Sequence, residues 1–335
     1  MTTPNILVLL DTADTQLTSA GLELLTLANT LGTPVAVSFH EPSATALEQV
    51  RTYGVSRFLV AALDGDISPH ITPAAAEALA GVVKETTARV VLASPTFQNK
   101  EVVARLAHAI GAGLVIDTVT VGFEGDDFVG YKRVFAGSWD IDCKVVTDVA
   151  VATVRANAVI PTPPAQPAAD VQVETVTVTP SALATSVSLV SRTVHPPIHG
   201  GVGRPRLAEA PYVVAGGRGT LGDFSQVEEL ADALGGAVGA TRDAVDEGWI
   251  EHDAQIGQTG VTVAPRVYIG AGISGAPHHR GGMQASGVIV SVNSDPDCPL
   301  FEISDFAVVG ELQDVLPQAA AAIREYKASQ GEASA

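Results

Sequence analysis

The chain of 335 residues is 46% hydrophobic, enough to bury the cores of two domains at roughly 100–200 residues each. Acidic residues outnumber basic ones 37 to 19, and the resulting net charge of −18 argues against nucleic acid and anionic membrane as partners, because both are recognised by Lys and Arg. The two cysteines, Cys143 and Cys298, make neither a metal spacing nor a disulfide framework, so a reduced, cytoplasmic protein is expected.

The first apolar run, Ile6 to Leu10, is short, lacks a basic leader and ends at Asp11. It reads as a buried strand and not as a signal peptide. Leu17, Ala20, Leu24, Leu27 and Leu31 follow at helical spacing, and Gly32 stops that helix. Val35–Phe39, Arg57–Val60 and Val90–Ala93 are further strands, the last two preceded by helical stretches. This alternation predicts a parallel sheet. From Leu114 to Arg155 alternating β-branched residues surround turns at Gly125-Asp126-Asp127 and Gly137-Ser138, which predicts an antiparallel meander. Pro161 to Pro167 forms a stiff connection, and Val171–Val178 is a last β-rich stretch.

A domain is therefore expected over 1–194 and a Pro/Gly-rich linker over 195–211. A second α/β domain then covers 212–330. Tyr212–Ala215, Val267–Ile269, Val288–Val292 and Ala307–Val309 read as its strands. Phe224, Val227, Leu230, Ala231 and Leu234 mark a helix with Asp223 as its N-cap, and Pro317–Lys327 reads as a closing helix. No apolar run reaches the ~18 residues that a membrane span needs, so no membrane insertion is expected.

Chemistry concentrates in three Gly-rich turns of the second domain: Gly216-Gly217-Arg218-Gly219, Gly257-Gln258-Thr259-Gly260, and Gly270 to Gly275. Glycine lets backbone approach a ligand closely, and a helix start offers unpaired N–H donors to phosphate. The third turn matches G-x-G-x-x-G, with Asp295 about 20 residues beyond it, which is the spacing of a dinucleotide fingerprint. Taken alone, such a turn is as readily structural as functional. Gly281-Gly282 also shortens the helix that should follow.

The motifs become specific together. Gly-Gly-Arg-Gly (216–219), Val-Gly-Ala-Thr-Arg (238–242), Gln-Ile-Gly-Gln-Thr-Gly (255–260), Gly-Ile-Ser-Gly-Ala (272–276) with His279, Val-Asn-Ser-Asp-Pro (292–296) and Val-Val-Gly-Glu-Leu (308–312) occur in this order. In this set the chain resembles the electron-transfer flavoprotein alpha subunit family. The resemblance implies an α/β fold of two domains: an N-terminal βαβ sheet domain with an antiparallel β extension, and a C-terminal parallel-sheet FAD-binding domain. It implies FAD contacts from Arg218, Thr241, Arg242, Ile256, Gly257, Gln258 and Thr259. It implies the same for Ser274, Gly275, Ala276, Pro277, His278, His279, Asn293, Glu311 and Leu312. On the family pattern Thr259 lies near flavin N5, His279 near the C2 carbonyl and Arg242 near the ring. The Ser274 turn serves the phosphates, and Asn293 and Glu311 serve the adenosine.

The family resemblance further implies a heterodimer with a beta subunit. It implies electrons arriving from acyl-CoA or other flavin dehydrogenases, as in fatty acid β-oxidation, and leaving to a quinone-linked oxidoreductase. Such a chain is a carrier and not a stand-alone enzyme. The chemistry is coherent: reducing a flavin places negative charge around N1 and the C2 carbonyl, and a donor or cation there favours the reduced forms. This chain departs from the family pattern at Pro277-His278, where Ile-Gln is frequent, and at Thr241, Ser294 and Glu311, where Ser, Lys and Asp are frequent.

Two other functions compete. An NAD-linked Rossmann dehydrogenase would use Gly270–Gly275 and Asp295, but no acid/base arrangement accompanies them. A nucleotide-binding module without redox chemistry would take ADP or AMP alone. Simpler roles are assigned to several residues. Arg242 beside Asp243 suits an ion pair, and Asp11 and Asp14 follow a strand without phosphate glycines. Asp140 and Asp142 suit solvated strand-edge charges, Trp139 and Trp249 suit packing, and His278-His279 lacks companion metal ligands on its helix. His195 and His199 sit in the linker, with no role assigned.

Overall fold

The computed structural model describes residues 3–135, 138–193 and 203–332. The linker histidines His195 and His199 lie outside them. The chain divides into two compact units, Met1–Lys132 with Asp140–Thr193 and Arg133–Trp139 with Val194–Ala335.

The first unit is built on seven parallel strands: β1 (Asn5–Leu9), β2 (Thr33–Ser38), β3 (Arg57–Leu63), β4 (Val90–Ala93), β5 (Gly113–Thr118), β9 (Ala150–Val154) and β10 (Gln172–Val178), in the order β10-β3-β2-β1-β4-β9-β5. Central strands buried on both faces must be apolar throughout. The pleat of β1 accordingly sends Ile6 and Val8 into one core and Leu7 and Leu9 into the other. Helices α1 (Ser19–Leu31) and α2 (Ala44–Thr52) cover the first core. Helices α3 (Thr72–Thr86) and α4 (Phe97–Ile110) cover the second. Thr18, Ser43 and Thr96 cap α1, α2 and α4 through their hydroxyls, which accept the N–H of Gly21, Ala46 and Asn99.

The expected antiparallel meander is shorter than its sequence pattern. Only β6 (Thr120–Glu124), β7 (Asp127–Val134) and β8 (Trp139–Val145) form it, with a tight turn at Gly125-Asp126. Strand β5 and strand β9 belong instead to the parallel sheet, where β9 lies between β4 and β5. All five β9 residues are buried, so Ala150 to Val154 is an interior-strand run and not an alternating one. Trp139, expected to pack, is 64% exposed on β8, and Asp140 and Asp142 beside it are exposed.

The carboxyl ends of β1 and β4 are tied by side chains. The buried Asn99 amide donates to Asp11 Oδ1 at 2.8 Å and to Ser94 O and Oγ at 3.1 and 2.9 Å, and Ser94 Oγ donates to the other Asp11 oxygen. Asp11 is thus structural, as its glycine-free loop suggested.

In the second unit five parallel strands take the order β12-β11-β13-β14-β15: β11 (Tyr212–Gly216), β12 (Ala237–Ala240), β13 (Val267–Ala271), β14 (Val288–Asn293) and β15 (Phe306–Val309). Helices α5 (Ser225–Leu234) and α8 (Leu312–Glu332) pack on one face through Val227, Leu230, Leu316 and Ala320. Helix α7 (Pro277–Met283) and the segment around Ile256 cover the other, and the short α6 (Arg242–Asp246) follows β12.

Two helix starts differ from expectation. The N-cap of α5 is Phe224, because the Asp223 carboxylate reaches forward to accept the Ser225 N–H at 2.9 Å in a local turn. Helix α8 begins at Leu312, not Pro317. The buried stripe Leu312, Leu316 and Ala320 carries it through the proline, which forgoes one backbone bond. Among the described residues no helix is long and apolar enough to cross a membrane. Replacing Asn99 with Ala leaves Asp11 and Ser94 short of partners, so chemical unfolding should show a loss of about 1–3 kcal/mol; an unchanged midpoint would mean the tie contributes nothing.

Candidate functional site

In the order β12-β11-β13-β14-β15 the chain leaves β11 towards one edge and returns to the other side at β13. The loops after β11 and β13 therefore diverge, and the sheet has its switch point between them. Ligands of open α/β sheets bind in the crevice so formed at the carboxyl ends of the strands. A cavity of about 420 Å³ lies at those ends, within the usual size range of ligand sites.

The first and third Gly-rich turns make this crevice by touching each other. Gly217 N–H donates to Ala271 O at 3.0 Å and Gly219 N–H to Gly272 O at 3.1 Å. A Cβ on Gly219 would stand 2.6 Å from the Gly272 Cα, so only glycine permits this approach. Gly272 itself has φ +64°, a left-handed conformation that also favours glycine. The G-x-G-x-x-G turn thus follows β13, the third strand of the unit, whereas the Rossmann fingerprint belongs to the first strand-to-helix turn.

Six of the sequence-predicted residues line the cavity: Arg218, Thr241, Ser274, Asn293, Glu311 and Leu312. Asp243, Asp295, Cys298 and Gly310 join them. Cys298 carried no motif signal; its place is visible only in the fold, where its thiol donates to Ile273 O at 3.3 Å and accepts from Asn293 Nδ2 at 3.2 Å. Asn293 is held firmly, its Oδ1 accepting the Asp295 N–H at 3.0 Å. Arg218 pairs with Asp243 at 3.3 Å. Arg242 pairs with Asp246 at 3.1 Å, not with its neighbour Asp243. Both pairs are well exposed and hold their arginines weakly, so either guanidinium is free to turn to an anion.

Of the remaining predicted residues, Arg242 opens α6, and the others gather around α7; none of them is in the cavity lining. The segment 255–261 is anchored to β12 by Ile256 N–H donating to Ala240 O at 2.9 Å, and to α7 by Gln258 N–H donating to His278 O at 3.0 Å. Gly282 lets α7 come close: a Cβ there would lie 2.5 Å from Gly257. The glycines that shorten this helix therefore serve its packing. Gln258, Thr259, Ala276, Pro277 and His278 are exposed around this junction, Gly257 and Gly275 are buried, and Gln255 Nε2 donates to Thr259 Oγ1 at 2.9 Å.

His279 stands apart as a buried imidazole, 5% exposed. Its Nδ1 lies 3.2 Å from Ile256 O and its Nε2 2.7 Å from Tyr268 Oη. Burial pushes its pKa down to about 4, against a smaller upward pull from the Ile256 carbonyl. The folded state keeps the ring neutral while the unfolded chain takes up a proton below its ordinary 6.5. The stability present above pH 6.5 is therefore lost as pH falls towards 4, by roughly 3 kcal/mol. A His279→Gln variant should show an acid limb shallower by about that amount in pH-dependent chemical unfolding; an equally steep limb would contradict the assignment.

Residues 6–181 match the electron transfer flavoprotein domain, and residues 206–284 match the electron transfer flavoprotein FAD-binding domain. The electron transfer flavoprotein subunit alpha of Mycobacterium leprae is 42% identical over 327 residues, covering 96% of this chain and 98% of that protein. The Syntrophomonas wolfei subunit alpha is 31% identical, covering 92% of this chain and 96% of its own length. The Bacillus subtilis subunit alpha is 30% identical, covering 93% and 95%. With both domains matched and relatives aligned over nearly their whole length, the cofactor is FAD and the chain belongs to the electron transfer flavoprotein alpha subunit family.

Proposed function

We propose that the chain binds FAD across the crevice of its second unit, with the adenosine diphosphate half in the cavity and the flavin half along segment 255–261 and α7. The observation that carries this reading is the cavity at the switch point, lined by Arg218, the hydroxyls of Thr241, Ser274 and Ser294, the Asn293 amide and the carboxylates of Asp243, Asp295 and Glu311, at the carboxyl ends of all five strands. Arg218 and Ser274 suit phosphate oxygens, and Asn293 and Glu311 suit the ribose and adenine. Thr241, Arg242 and the stretches Ile256–Thr259 and Gly275–His279 would surround the flavin. Leu312 would pack beside the dinucleotide. When bound, FAD supplies one-electron redox chemistry; the side chains bind it, orient it and set its electrostatic surroundings.

In this reading the chain works as a carrier paired with a beta subunit. Electrons come from flavin dehydrogenases, including those acting on acyl-CoA substrates, and go to a quinone-linked oxidoreductase, in the cytoplasm. The acidic surface suits partners with basic docking faces and discourages nucleic acid. An NAD-linked dehydrogenase is disfavoured by the position of the G-x-G-x-x-G turn and by the family.

Co-expressed with its beta subunit, the protein should purify yellow, with flavin absorbance bands; a colourless complex that takes up NADH would overturn the proposal. Removing a cation from the flavin surroundings should lower the flavin's one-electron potential. For Arg242→Ala the loss of a charged hydrogen bond, about 1.5–3 kcal/mol, corresponds to roughly 60–130 mV. Spectroelectrochemical titration measures it, and an unmoved potential would place Arg242 away from the ring.

A further inference from the structure

Asp295 lines the cavity beside Asn293, Ser294 and Glu311. It stands just beyond the carboxyl end of β14, the strand paired in parallel with β13. Strand β13, the Gly270–Gly275 turn, α7 and β14 thus form one βαβ unit, with an acidic residue past the end of its second strand. In such a unit the phosphates of a dinucleotide lie over the Gly-rich turn. Its ribose then lies over the end of the neighbouring strand, where a carboxylate can accept from the hydroxyls. That adjacency of turn and carboxylate depends on the parallel pair alone and not on the unit's place in the sheet. Asp295 is also held on three sides. Its N–H donates to Asn293 Oδ1 at 3.0 Å, its carbonyl accepts the Cys298 N–H at 3.2 Å, and its Oδ1 accepts the Asp297 N–H at 3.0 Å. Among the described residues nothing donates to Asp295 Oδ2, so this oxygen is left for a ligand. Asn293 gives its Nδ2 to Ile273 O and to Cys298 Sγ, both at 3.2 Å, and so braces the loop that presents Asp295.

Charge sorts the cavity in the same direction. Arg218, the one cation among the described lining residues, stands beyond β11, while Asp295 and Glu311 stand beyond β14 and β15. Phosphate is drawn to the first side and repelled by the second, so the groups that can meet Asp295 are hydrogen-bond donors. We propose that Asp295 is a further cofactor-binding residue: its free carboxylate oxygen accepts from the 2′,3′-diol of the adenosine ribose and so selects an unmodified ribose over a 2′-phosphorylated one. This rests on the placement of the adenosine half in the cavity. A phosphate on the 2′-oxygen would bring negative charge against the carboxylate and remove a donor at once.

The test reconstitutes the deflavinated complex with the beta subunit, using FAD, its 2′-deoxyadenosine and 3′-deoxyadenosine forms, and FAD phosphorylated on the adenosine 2′-oxygen. Flavin fluorescence gives each dissociation constant. With the wild-type chain at least one deoxy form, and the 2′-phosphorylated form, should bind about tenfold or more weakly than FAD, the loss expected for one charged hydrogen bond. Asp295→Asn keeps an oxygen for the Asp297 N–H and replaces the free oxygen with an NH2 group. In this variant FAD should weaken to the level of the deoxy form, closing the gap between them to about twofold. A purely structural defect would weaken every form alike and keep the gap, which would overturn the proposal. A wild-type complex that binds both deoxy forms, or the 2′-phosphorylated form, as tightly as FAD would overturn it even if Asp295→Asn fails to assemble. The placement of the cofactor is checked separately by Arg218→Ala, which should weaken every form alike. Unchanged affinity there would sink the placement and the proposal together, whereas a missing Asp295 discrimination sinks the proposal alone.

Discussion

The contact on which the second unit depends is backbone against backbone: Gly219 N–H on the Gly272 carbonyl, with no side chain between the two turns. It closes the floor of the crevice where strands β11 and β13 part. Without it the loops after these strands would stand a side chain apart, and Arg218 and Ser274 would not face one cavity. Leu312, the first residue of α8, packs against the same spot, since a Cβ on Gly272 would meet its Cδ2 at 3.0 Å. The helix start, the two turns and the cavity lining thus follow from one place where glycine is sterically required.

Charge and burial divide the roles around the site. The arginines are exposed and paired with exposed carboxylates, so a ligand anion can recruit them at little cost. His279 is the opposite: buried, neutral and bonded on both sides. Sequence alone makes all three look alike, as basic residues within Gly-rich motifs. Their solvent exposure separates two exposed cations from a buried, neutral ring.

The parallel strands were legible because strands buried on both faces must be continuous apolar runs, as Ile6–Leu10 and Val90–Ala93 are. Strand β12 leaves no strand signal in the sequence because Ala237-Val-Gly-Ala240 is short and carries one β-branched residue. The sequence pattern places β9 in the meander because its neighbours in sequence are hairpin strands, whereas its neighbours in space are β4 and β5. Proline's preference for helix starts misplaced the beginning of α8, where the buried Leu312 and Leu316 decide. At the site, ordered motifs marked the glycines, arginines and His279. Cys298 and the Tyr268–His279 bond were invisible, because they arise from chain segments brought together by the sheet and leave no spacing signature. The glycines themselves were legible as glycines, but their contact with one another was not.

The central claim is that the crevice made by the glycine contact holds the cofactor. The most direct measurement is the FAD content of the complex with the beta subunit, comparing the wild-type chain with Gly219→Val. A branched side chain there must push Gly272 away and spoil the crevice, while the first unit keeps its own cores. The account predicts stoichiometric FAD in the wild-type complex and almost none in the variant, with the far-ultraviolet circular dichroism largely retained. A variant complex that assembles and keeps its full complement of FAD would contradict it.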